Sequence, residues 1–482
     1  MTKIATSIRR GPYRLGWAVV TVAVLLALPG AAAQAGPLQG AKGSAPTLYV
    51  SPTGTDAGDG SARAPLRTAQ LAVNRLGRRG GTVTFFGGRY TGQRIVLKDR
   101  SRITLRAARG AVPILDGTGL APADGSSGMV EIRDSSRIAV RGLTITGYRT
   151  RSTAAMPIGI YVVGSGHDIV LQGNHVHHLG NDNPTPGSFA MNAHGIGVYG
   201  TDPRAAIERL RITGNTLDHL VLGASESLVV NGNVTRWSIT DNTVQDNNNI
   251  GIDAIGFEPT ISGAARYTQV NRARHGLIAR NRVSRIISEG NPAYDEDGSW
   301  CNCADGIYID GGADIVVTDN RVDASDIGIE VASEWAEGRT DHIVVRNNTV
   351  TRSRYVGLAL GGYDQDRGQA FDLTVTRNTL RGNNTLDDGS PEILLQYYVH
   401  DTVIANNTVV STNDDATVLL QRVAPRGGVA LNAHLTLRRN HYAGRAAPGH
   451  EVYLWNGVKV TGLSSYRAAS HQDAASTYRR RG

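Results

Sequence analysis

The chain has 482 residues and a formal net charge of +8, which is enough length for several globular domains or for one long solenoid. Four basic residues lie within the first 35 positions, and without them the net charge is about +4, with three of the remaining arginines at positions 479–481. A folded body this close to neutral argues against nucleic acid as a partner.

Residues 1–35 are typical of a secretory signal peptide. A basic start is followed by an apolar stretch over 15–28 and by an A-x-A sequence that ends at Ala35. The apolar stretch is short for a membrane span, and no second one follows it. We therefore expect cleavage after about Ala35, a linker over 36–46, and a secreted protein without a membrane span.

The segment after the linker predicts a cap for one end of a β-structure. The sequence favours a strand over Leu48–Ser51, a helix over Pro65–Leu76 and a second strand over Thr82–Phe86. A proline in the first turn suits the start of that helix. A helix at this place would cover the open end of a stack of strands.

One asparagine recurs inside the same short phrase, as in GNTL, DNTV and NNTV. Successive copies are 27 to 41 residues apart, which indicates one repeating unit with insertions. Each unit reads strand, turn, strand, so it must stack on its neighbours to bury its apolar side. The repeat predicts a parallel β-solenoid of roughly ten to eleven coils from about Ile95 to Tyr442, inside a domain over 47–442. The recurring residues are Asn174, Asn215, Asn242, Asn281, Asn320, Asn348, Asn378, Asn407 and Asn440.

These asparagines have two structural interpretations. Their amides can bond from coil to coil in an internal ladder. Alternatively, each asparagine only tolerates a left-handed turn conformation. Both interpretations leave the asparagines outside any catalytic role.

A second pattern, glycine followed by alternating apolar and variable residues, precedes each asparagine. Alternate residues of a strand face opposite sides, so the apolar ones point into the core and the variable ones outward. Parallel stacking aligns the outward residues in columns, about 4.8 Å apart per coil. The first column reads Tyr161, Gly197, Val229, Asp253, Tyr308, Glu330, Ala359 and Leu394. The second reads Val163, Tyr199, Asn231, Ile255, Asp310, Ala332, Gly361 and Gln396.

Three consecutive coils of these columns place acids on one solvent-facing wall. We predict Asp253, Asp310, Glu330 and Tyr308 as catalytic residues, with Asp305 just before the same strand. Like charges this close raise the pKa of at least one carboxyl group, which supplies a proton donor near neutral pH. Two acids one coil and one pleat apart lie roughly 8 Å apart at the backbone, within the range of about 6.5–9.5 Å used by inverting glycosidases. The alternative is a solvated acidic face or a structural calcium site.

The longest insertions flank these strands and would form the walls of a cleft. They are Asn181–Asn192, Glu258–Asn271, Ile287–Ala304, Ser333–Thr340 and Gly362–Phe371. They carry Tyr294, Trp300, Trp335 and Tyr363, and aromatic faces suit sugar rings. The predicted substrate-binding residues are Asp305, His194, Tyr199, Trp335, Tyr363 and Gln396. An anionic substrate could also bind Arg272, Arg274 and His275.

Two short motifs in one insertion suggest other chemistry. Asp295 and Asp297 are candidate calcium ligands, because clustered carboxylates suit that ion, and Ca²⁺ is the one cofactor that we expect. Cys301 and Cys303 are either two partly buried thiols or a C-x-C disulfide, which closes a very small ring. Zinc is disfavoured, since no histidine or further cysteine stands at zinc-ligand spacing.

Several phrases resemble the secreted, pectate-lyase-like right-handed β-helix family. The start YVSPTGTDAGDG, followed by APLRT and GGRYTG, is similar to the opening segment of that family. GIYIDGGADIVVTDNRV, DIGIEVASEW and GLALGGYD extend the resemblance over most of the mature chain. It implies an all-β fold, a right-handed single-stranded parallel β-helix with an N-terminal capping helix, and a polysaccharide as substrate. Residues 443–482 resemble the closing strand and tail of the family, and we expect the basic tail to be mostly disordered.

The resemblance does not extend to catalytic motifs. Lyases of this group often use a lysine base, whereas Lys42, Lys98 and Lys459 lie far from the acidic wall in the sequence. Polygalacturonases carry the motifs N-T-D, G-D-D and G-H-G. Only one segment here, Ala304-Asp305-Gly306, weakly resembles any of them. The segment most similar to the epimerase motif D-P-H is GFEPT at 256–260, which lacks the histidine.

The leading hypothesis is a secreted, monomeric enzyme that cleaves an extracellular polysaccharide by carboxylate acid/base chemistry. Hydrolysis is favoured over calcium-assisted elimination, because the wall offers acids and no lysine. The alternative is a non-catalytic carbohydrate-binding or cell-surface protein on the same scaffold, since a fold does not fix a function.

Overall fold

The fold is a right-handed parallel β-helix, as the repeat and the resemblance predicted. The computed structural model describes residues 45–412, 418–424 and 434–481. The expected signal peptide and its cleavage position lie outside the described residues. Within them, strands of successive coils pair in parallel to form three long sheets, which we call sheets 1, 2 and 3.

The sheets contain 15, 13 and 13 strands among the described residues. Sheet 1 is formed by Thr47–Val50, Gly81–Phe85, Ser101–Ala107, Ser136–Arg141, Gly166–His167, Ile169–Gln172, Ile207–Glu208, Arg211–Thr213, Val234–Thr240, Arg274–Ala279, Ala313–Thr318, Arg339–Arg346, Gln369–Thr376, Val399–Ala405 and Leu435–Arg438. Sheet 2 is formed by Ile95–Lys98, Gly125–Arg133, Ala155–Gly164, His194–Gly200, Leu228–Gly232, Ile252–Ile255, Asp305–Asp310, Ile327–Ala332, Val356–Leu360, Ile393–Leu395, Val418–Arg422, Val452–Trp455 and Val458–Thr461. Sheet 3 is formed by Gly88–Thr91, Pro113–Asp116, Thr144–Thr146, His175–His177, Thr216–Asp218, Thr243–Asn247, Arg282–Ile286, Arg321–Asp323, Thr349–Thr351, Thr379–Arg381, Thr408–Val410, His441–Gly444 and Thr477–Arg480.

Little of the described chain is helical. The α-helices there are Ala69–Leu76 and Leu463–Ser470, and the 3-10 helices are Gly77–Arg79, Gly263–Ala265 and Pro292–Tyr294. Two short strand pairs stand apart from the sheets: Arg149–Thr150 with Gly180–Asn181, and Asp295–Glu296 with Ser299–Trp300. No helix in the described residues combines the length and the apolar character that a membrane crossing requires.

Alternate residues of each strand fill the interior. In the strand Asp305–Asp310, Ile307 and Ile309 are fully buried in the core. Gly306 stands where an added Cβ would come within 2.4 Å of Val322 Cγ1, so the crowded corner requires a residue without a side chain. The glycine that opens most of the outward patterns in the sequence therefore marks a corner of the coil.

The recurring asparagines form the internal ladder, which confirms the first of their two interpretations. Asn281 Oδ1 accepts hydrogen bonds from the backbone N–H and the Nδ2 of Asn242, both at 3.0 Å. Asn281 Nδ2 donates to Ile239 O at 2.9 Å and to Asn320 Oδ1 at 3.0 Å. The left-handed conformation belongs to the residue before the asparagine, as at Arg280 with φ 55°. The ladder thus satisfies buried backbone groups at every turn of this corner.

The N-terminal cap has the predicted order of elements. Thr47–Val50 precedes the helix Ala69–Leu76, and Gly81–Phe85 follows it. The helix begins at Ala69 instead of Pro65, because Leu66 belongs to the β-structure: its N–H donates to Tyr49 O at 2.9 Å.

The C-terminal tail is more ordered than predicted. Val452–Trp455 is the expected closing strand, and the helix Leu463–Ser470 follows it. The strand Thr477–Arg480 then pairs in parallel with His441–Gly444. The prediction of a mostly disordered tail was wrong, because these residues pair with the open edge of sheet 3.

A buried carboxylate cluster as candidate active site

The predicted acids share one face of sheet 2 in the register that the sequence indicated. Asp253 pairs with Tyr308, and Tyr308 pairs with Glu330, so the three lie in one column across consecutive coils. Asp310 stands two residues after Tyr308 and pairs with Ala332. The parallel stack therefore brings together acids that are separated by up to 77 positions in the sequence.

These side chains are buried although they lie on the outer face. The exposed fraction is 2% for Asp253, 3% for Asp305 and Asp310, and 5% for Glu330. The predicted solvent-facing wall was wrong in this respect. Some of the insertions between coils not only flank the acids but also cover them.

Two insertions form much of this cover, the segments 333–338 and 361–368. The backbone N–H of Glu334 donates to Asp310 Oδ1 at 2.7 Å. Arg367 Nη1 donates to Glu334 O at 3.1 Å, and the N–H of Gly368 donates to Ser333 O at 2.8 Å. The cover is thus held partly by one of the carboxylates and partly by contacts between the two segments.

The aromatic residues predicted to bind sugar lie in the same two segments. The Trp335 ring lies under the guanidinium of Arg266, at 4.1 Å from Cζ to the ring centre. The Tyr363 ring lies under Arg367 at 4.5 Å and is 40% exposed. An arginine covers one face of each aromatic ring. A sugar would therefore have to stack on the opposite face of the aromatic ring or displace the arginine.

Asp305 and Glu330 form a carboxyl pair on neighbouring coils. The two carboxyl groups act on each other's pKa values, and Gln396 Nε2 donates to Glu330 Oε1 at 3.0 Å. Burial raises the pKa of Glu330 to about 7, although its contacts with Asp305 and Gln396 act in the opposite direction. Burial also raises the pKa of Asp305 well above its ordinary value, and the charge of Glu330 adds to the effect. The two carboxyl groups are therefore favoured to hold a proton between them.

Asp253 is the acid whose burial is least offset by hydrogen bonds. Burial raises its pKa well above the ordinary value, and the charges of Glu226 and Asp310 add to the rise. Its Oδ1 is buried and has no hydrogen-bond partner among the described residues. An isolated buried charge is costly, so the neutral carboxylic acid is favoured at neutral pH. Burial and the neighbouring charges thus both favour the protonated form of Asp253.

His194 and Tyr199 form a second hydrogen-bonded pair beside the acids. His194 Nδ1 lies 2.9 Å from the carbonyl oxygen of Glu226, which can only accept, so Nδ1 carries the hydrogen. The Tyr199 hydroxyl lies 2.8 Å from Nε2 and donates to it. Burial lowers the pKa of His194 to about 4, so the ring is neutral at physiological pH. Both ring nitrogens of His194 are thus engaged in hydrogen bonds. We propose that His194 orients the Tyr199 hydroxyl.

Sequence reasoning did not single out Glu226. The Glu226 carboxylate lies 3.5 Å from His194 Nδ1, and its charge acts on Asp253. His194, Glu226 and Asp305 each stand two residues before the first inward residue of a sheet 2 strand. Extending the outward columns upstream past the corner residue, which is Ser227 in this coil, would have found it.

A network below the site anchors the strand that carries Asp305. The Asp326 carboxylate accepts from the backbone N–H of Ser288 at 2.7 Å and from that of Ala304 at 3.2 Å. Ser288 Oγ in turn accepts from the N–H of Cys303 at 3.3 Å. Cys301 and Cys303 are joined in a disulfide, which decides between the two alternatives for these cysteines.

The basic residues offered for an anionic substrate are not part of the site. Arg272 is fully buried, with Nη1 at 3.0 Å from Asp341 Oδ2 and hydrogen bonds to three backbone carbonyls. Arg274 and His275 lie on sheet 1. Insertions lead into strands of more than one sheet. A residue next to an insertion therefore does not have to lie on the sheet that carries the acids.

Calcium binding at Asp295 and Asp297 stays a prediction. Asp295 Oδ1 accepts from the N–H of Gly298 at 2.7 Å and closes the turn of a small hairpin. Asp297 is exposed in that turn.

Comparisons with known proteins agree with the architecture. A family profile described as "Right handed beta helix region" matches residues 302–464. The uncharacterized protein YwoF of Bacillus subtilis (strain 168) is 33% identical over 441 residues, which cover 91% of this chain and 88% of YwoF.

Among solved structures, the mannuronan C-5 epimerase AlgE6 A-module of Azotobacter vinelandii is 14% identical, with a TM-score of 0.49. The alignment covers 86% of this chain and 94% of that module. The GH136 lacto-N-biosidase of Eubacterium ramulus is 15% identical, with a TM-score of 0.49, over 90% of this chain and 67% of that one.

Proposed function

The chain belongs to one family with YwoF of Bacillus subtilis and has the right-handed parallel β-helix fold, and on this scaffold we propose an exported, monomeric enzyme that cleaves a polysaccharide. The observation that carries the proposal is Asp253, a buried neutral acid with one oxygen free of hydrogen bonds, one coil away from Asp310. Buried acids with strongly raised pKa values cluster at functional sites, where the cost to stability at neutral pH is balanced by a use for the proton.

Hydrolysis assigns complementary roles to the two acids. Asp253 donates its proton to the glycosidic oxygen as the bond from that oxygen to the anomeric carbon breaks. Asp310 takes a proton from the water that adds to the anomeric carbon. One water is consumed, and the proton on Asp310 returns to Asp253 through solvent. Their placement, one coil and one pleat apart, gives a backbone separation of about 8 Å. Inversion requires carboxyl groups about 6.5–9.5 Å apart, a separation that side chains on this backbone spacing can adopt.

The remaining groups position the substrate. Burial keeps the Tyr308 phenol protonated by raising its pKa, so it is a hydrogen-bond donor between Asp253 and Glu330. The Asp305–Glu330 pair and Gln396 offer further donors and acceptors to sugar hydroxyls. Tyr199, whose hydroxyl hydrogen is bonded to His194, offers its oxygen as an acceptor at the opposite side of Asp253.

Substrate access in this proposal requires movement of segments 333–338 and 361–368. A polysaccharide that displaced them would meet Trp335 and Tyr363, whose faces suit sugar rings. The energy of that contact would offset the loss of the hydrogen bond from Glu334 to Asp310.

Hydrolysis is favoured over elimination because a lyase of this kind needs a strong base. Lys98 and Lys459 lie in strands of sheet 2 that are coils away from Asp253. A lyase would have to use Ca²⁺ to neutralise a substrate carboxylate, and Asp295 and Asp297 are the residues that we propose for it.

One observation favours a second candidate, carbohydrate binding without turnover. The carboxylates are almost inaccessible, whereas Tyr363 is exposed on the outer surface of the cover. In that case Tyr363 and Trp335 would bind glycans, and Asp253 would have no effect on binding.

The test is a screen of the full chain against a polysaccharide panel, with and without a calcium chelator. New reducing ends without ultraviolet absorption indicate hydrolysis, and an unsaturated product indicates elimination. The Asp253→Asn variant should lose turnover by a factor of about 100 or more, since a general acid contributes that much. Asp372→Asn, on sheet 1, is the matched control and should retain the parental rate. Equal rates for Asp253→Asn and the parent would refute the catalytic assignment, and glycan binding with no turnover by the parent would establish the second candidate.

A further inference from the structure

A cluster of histidines lies on sheet 3, on a different sheet from the acids. The strand His175–His177 pairs with Thr216–Asp218 on the next coil. Each strand is followed directly by one more histidine, His178 and His219. Parallel stacking thus sets the sequence HVHH of one coil against DH of the next, although 41 residues separate the two motifs.

The donor atoms of three of these residues converge. His177 Nδ1 lies 2.7 Å from His178 Nδ1. One ligand atom from each of His177, His178 and Asp218 lies within 4.8 Å of the other two. Two nitrogens bound to one zinc ion at about 2.0–2.1 Å are about 3.3 Å apart in tetrahedral geometry. The atoms therefore lie at the spacing that small side-chain rotations would adapt to a single ion.

Two further histidines hold the carboxylate of this group. His175 Nε2 lies 2.8 Å from Asp218 Oδ2, and His219 Nδ1 lies 2.9 Å from Asp218 Oδ1. The His219 ring also stacks on His178, with ring centres 4.8 Å apart and planes 9° from parallel. Contacts of this kind fix the orientation of ligands in metal sites.

The cluster is open to solvent on one side and supported on the other. The side chain of His219 is 53% exposed, whereas that of Asp218 is 12% exposed. An ion can therefore enter from water and find a carboxylate that is already oriented.

We propose that His177, His178 and Asp218 bind one divalent transition-metal ion of the zinc, nickel or copper class, with His175 and His219 as positioning residues. Imidazole nitrogens select this class, whereas calcium and magnesium prefer sites made of oxygens. The bound ion joins two adjacent coils, so it stabilises the stack at this corner.

The test is calorimetric titration of the untagged full chain with ZnCl₂ and NiCl₂ after chelator treatment. We expect one ion per chain and a rise of the melting temperature with metal concentration, because a ligand that binds only the folded state stabilises it. CaCl₂ should give neither effect. The spectrum of bound Cu²⁺ should show nitrogen coordination.

Variants make the assignment specific. His177→Ala combined with His178→Asn should weaken Zn²⁺ binding by about a hundredfold or more, and His219→Asn by about tenfold at unchanged stoichiometry. Asn suits positions 178 and 219 because φ is 51° and 52° there. His275→Asn is the matched control, since His275 also has a left-handed φ of 52° and faces one carboxylate, Asp314, at 3.6 Å. It should leave binding unchanged.

Circular dichroism of each variant separates loss of ligands from loss of fold. A folded double variant that binds Zn²⁺ as tightly as the parent overturns the proposal. So does a parent chain that shows no Zn²⁺ or Ni²⁺ binding above that seen with Ca²⁺.

Discussion

Replacement of Glu330 by glutamine should stabilise the fold at alkaline pH and have little effect in acid. Burial raises the pKa of Glu330 from 4.5 to about 7. The folded state therefore binds a proton that the unfolded chain has already lost between these two pH values. Stability from this group is fully present below about pH 4.5 and is lost as the pH rises through about 7.

The size of the effect follows from the shift. A shift of about 2.5 pKa units at 1.36 kcal/mol each means that the parent has lost about 3 kcal/mol of folding stability above pH 8. Roughly 1 kcal/mol of this stability is already lost at pH 5. Glutamine keeps the shape and the neutral charge of the protonated acid, and its Oε1 can still accept from Gln396. The variant should thus be more stable than the parent by about 2–3 kcal/mol at pH 8 and by 1 kcal/mol or less at about pH 5.

The assay is urea unfolding of parent and variant at pH 5, 6, 7 and 8, followed by tryptophan fluorescence. Glu337→Gln, at an exposed position of the covering segments, is the control and should show no pH-dependent difference. If the parent and Glu330→Gln differ by the same free energy at every pH, Glu330 titrates normally, and the reasoning about the acid cluster fails.

Three further changes probe the scaffold, each measured by urea unfolding. Asn281→Ala should cost about 2–5 kcal/mol, because it leaves the N–H and Nδ2 of Asn242 without their shared acceptor; a loss under about 1 kcal/mol would mean that the ladder adds little. Arg272→Met should cost about 3–5 kcal/mol, because it removes the buried partner of Asp341; an unchanged unfolding midpoint would contradict the buried ion pair. Gly306→Ala should cost about 1–3 kcal/mol, because its Cβ would come within 2.4 Å of a valine side chain, and tolerance of the alanine would show that this corner is looser than the packing indicates.

The asparagine ladder and the outward columns were readable from the sequence because both depend on local periodicity. A strand alternates its side chains at every residue, so the sequence alone assigns Asp253, Tyr308 and Glu330 to one face. The parallel register then followed from aligning the strands on the residue that opens each pattern, which is a glycine in most coils. In the coil of Glu226 that alignment began at Ser227, and for this reason Glu226 was missed.

The tail and the start of the first helix were not predictable in the same way. Leu66 lies in a helical pattern but is bound to Tyr49 by a contact across the cap. Thr477–Arg480 has a basic sequence typical of disorder, yet sheet 3 offers it an open edge. Tertiary contacts override local preference in both cases.

The sequence by itself determined the repeat, the inward and outward faces, and the acids that one face would carry. Only the tertiary structure decided that those acids are buried, since loop composition does not specify where a loop folds. Burial in turn sets the charge state of Asp253 and Glu330, because a pKa depends on surroundings that no local pattern records. The convergence of His177 and Asp218 has the same origin: stacking of coils makes neighbours of residues that are 41 positions apart in the sequence.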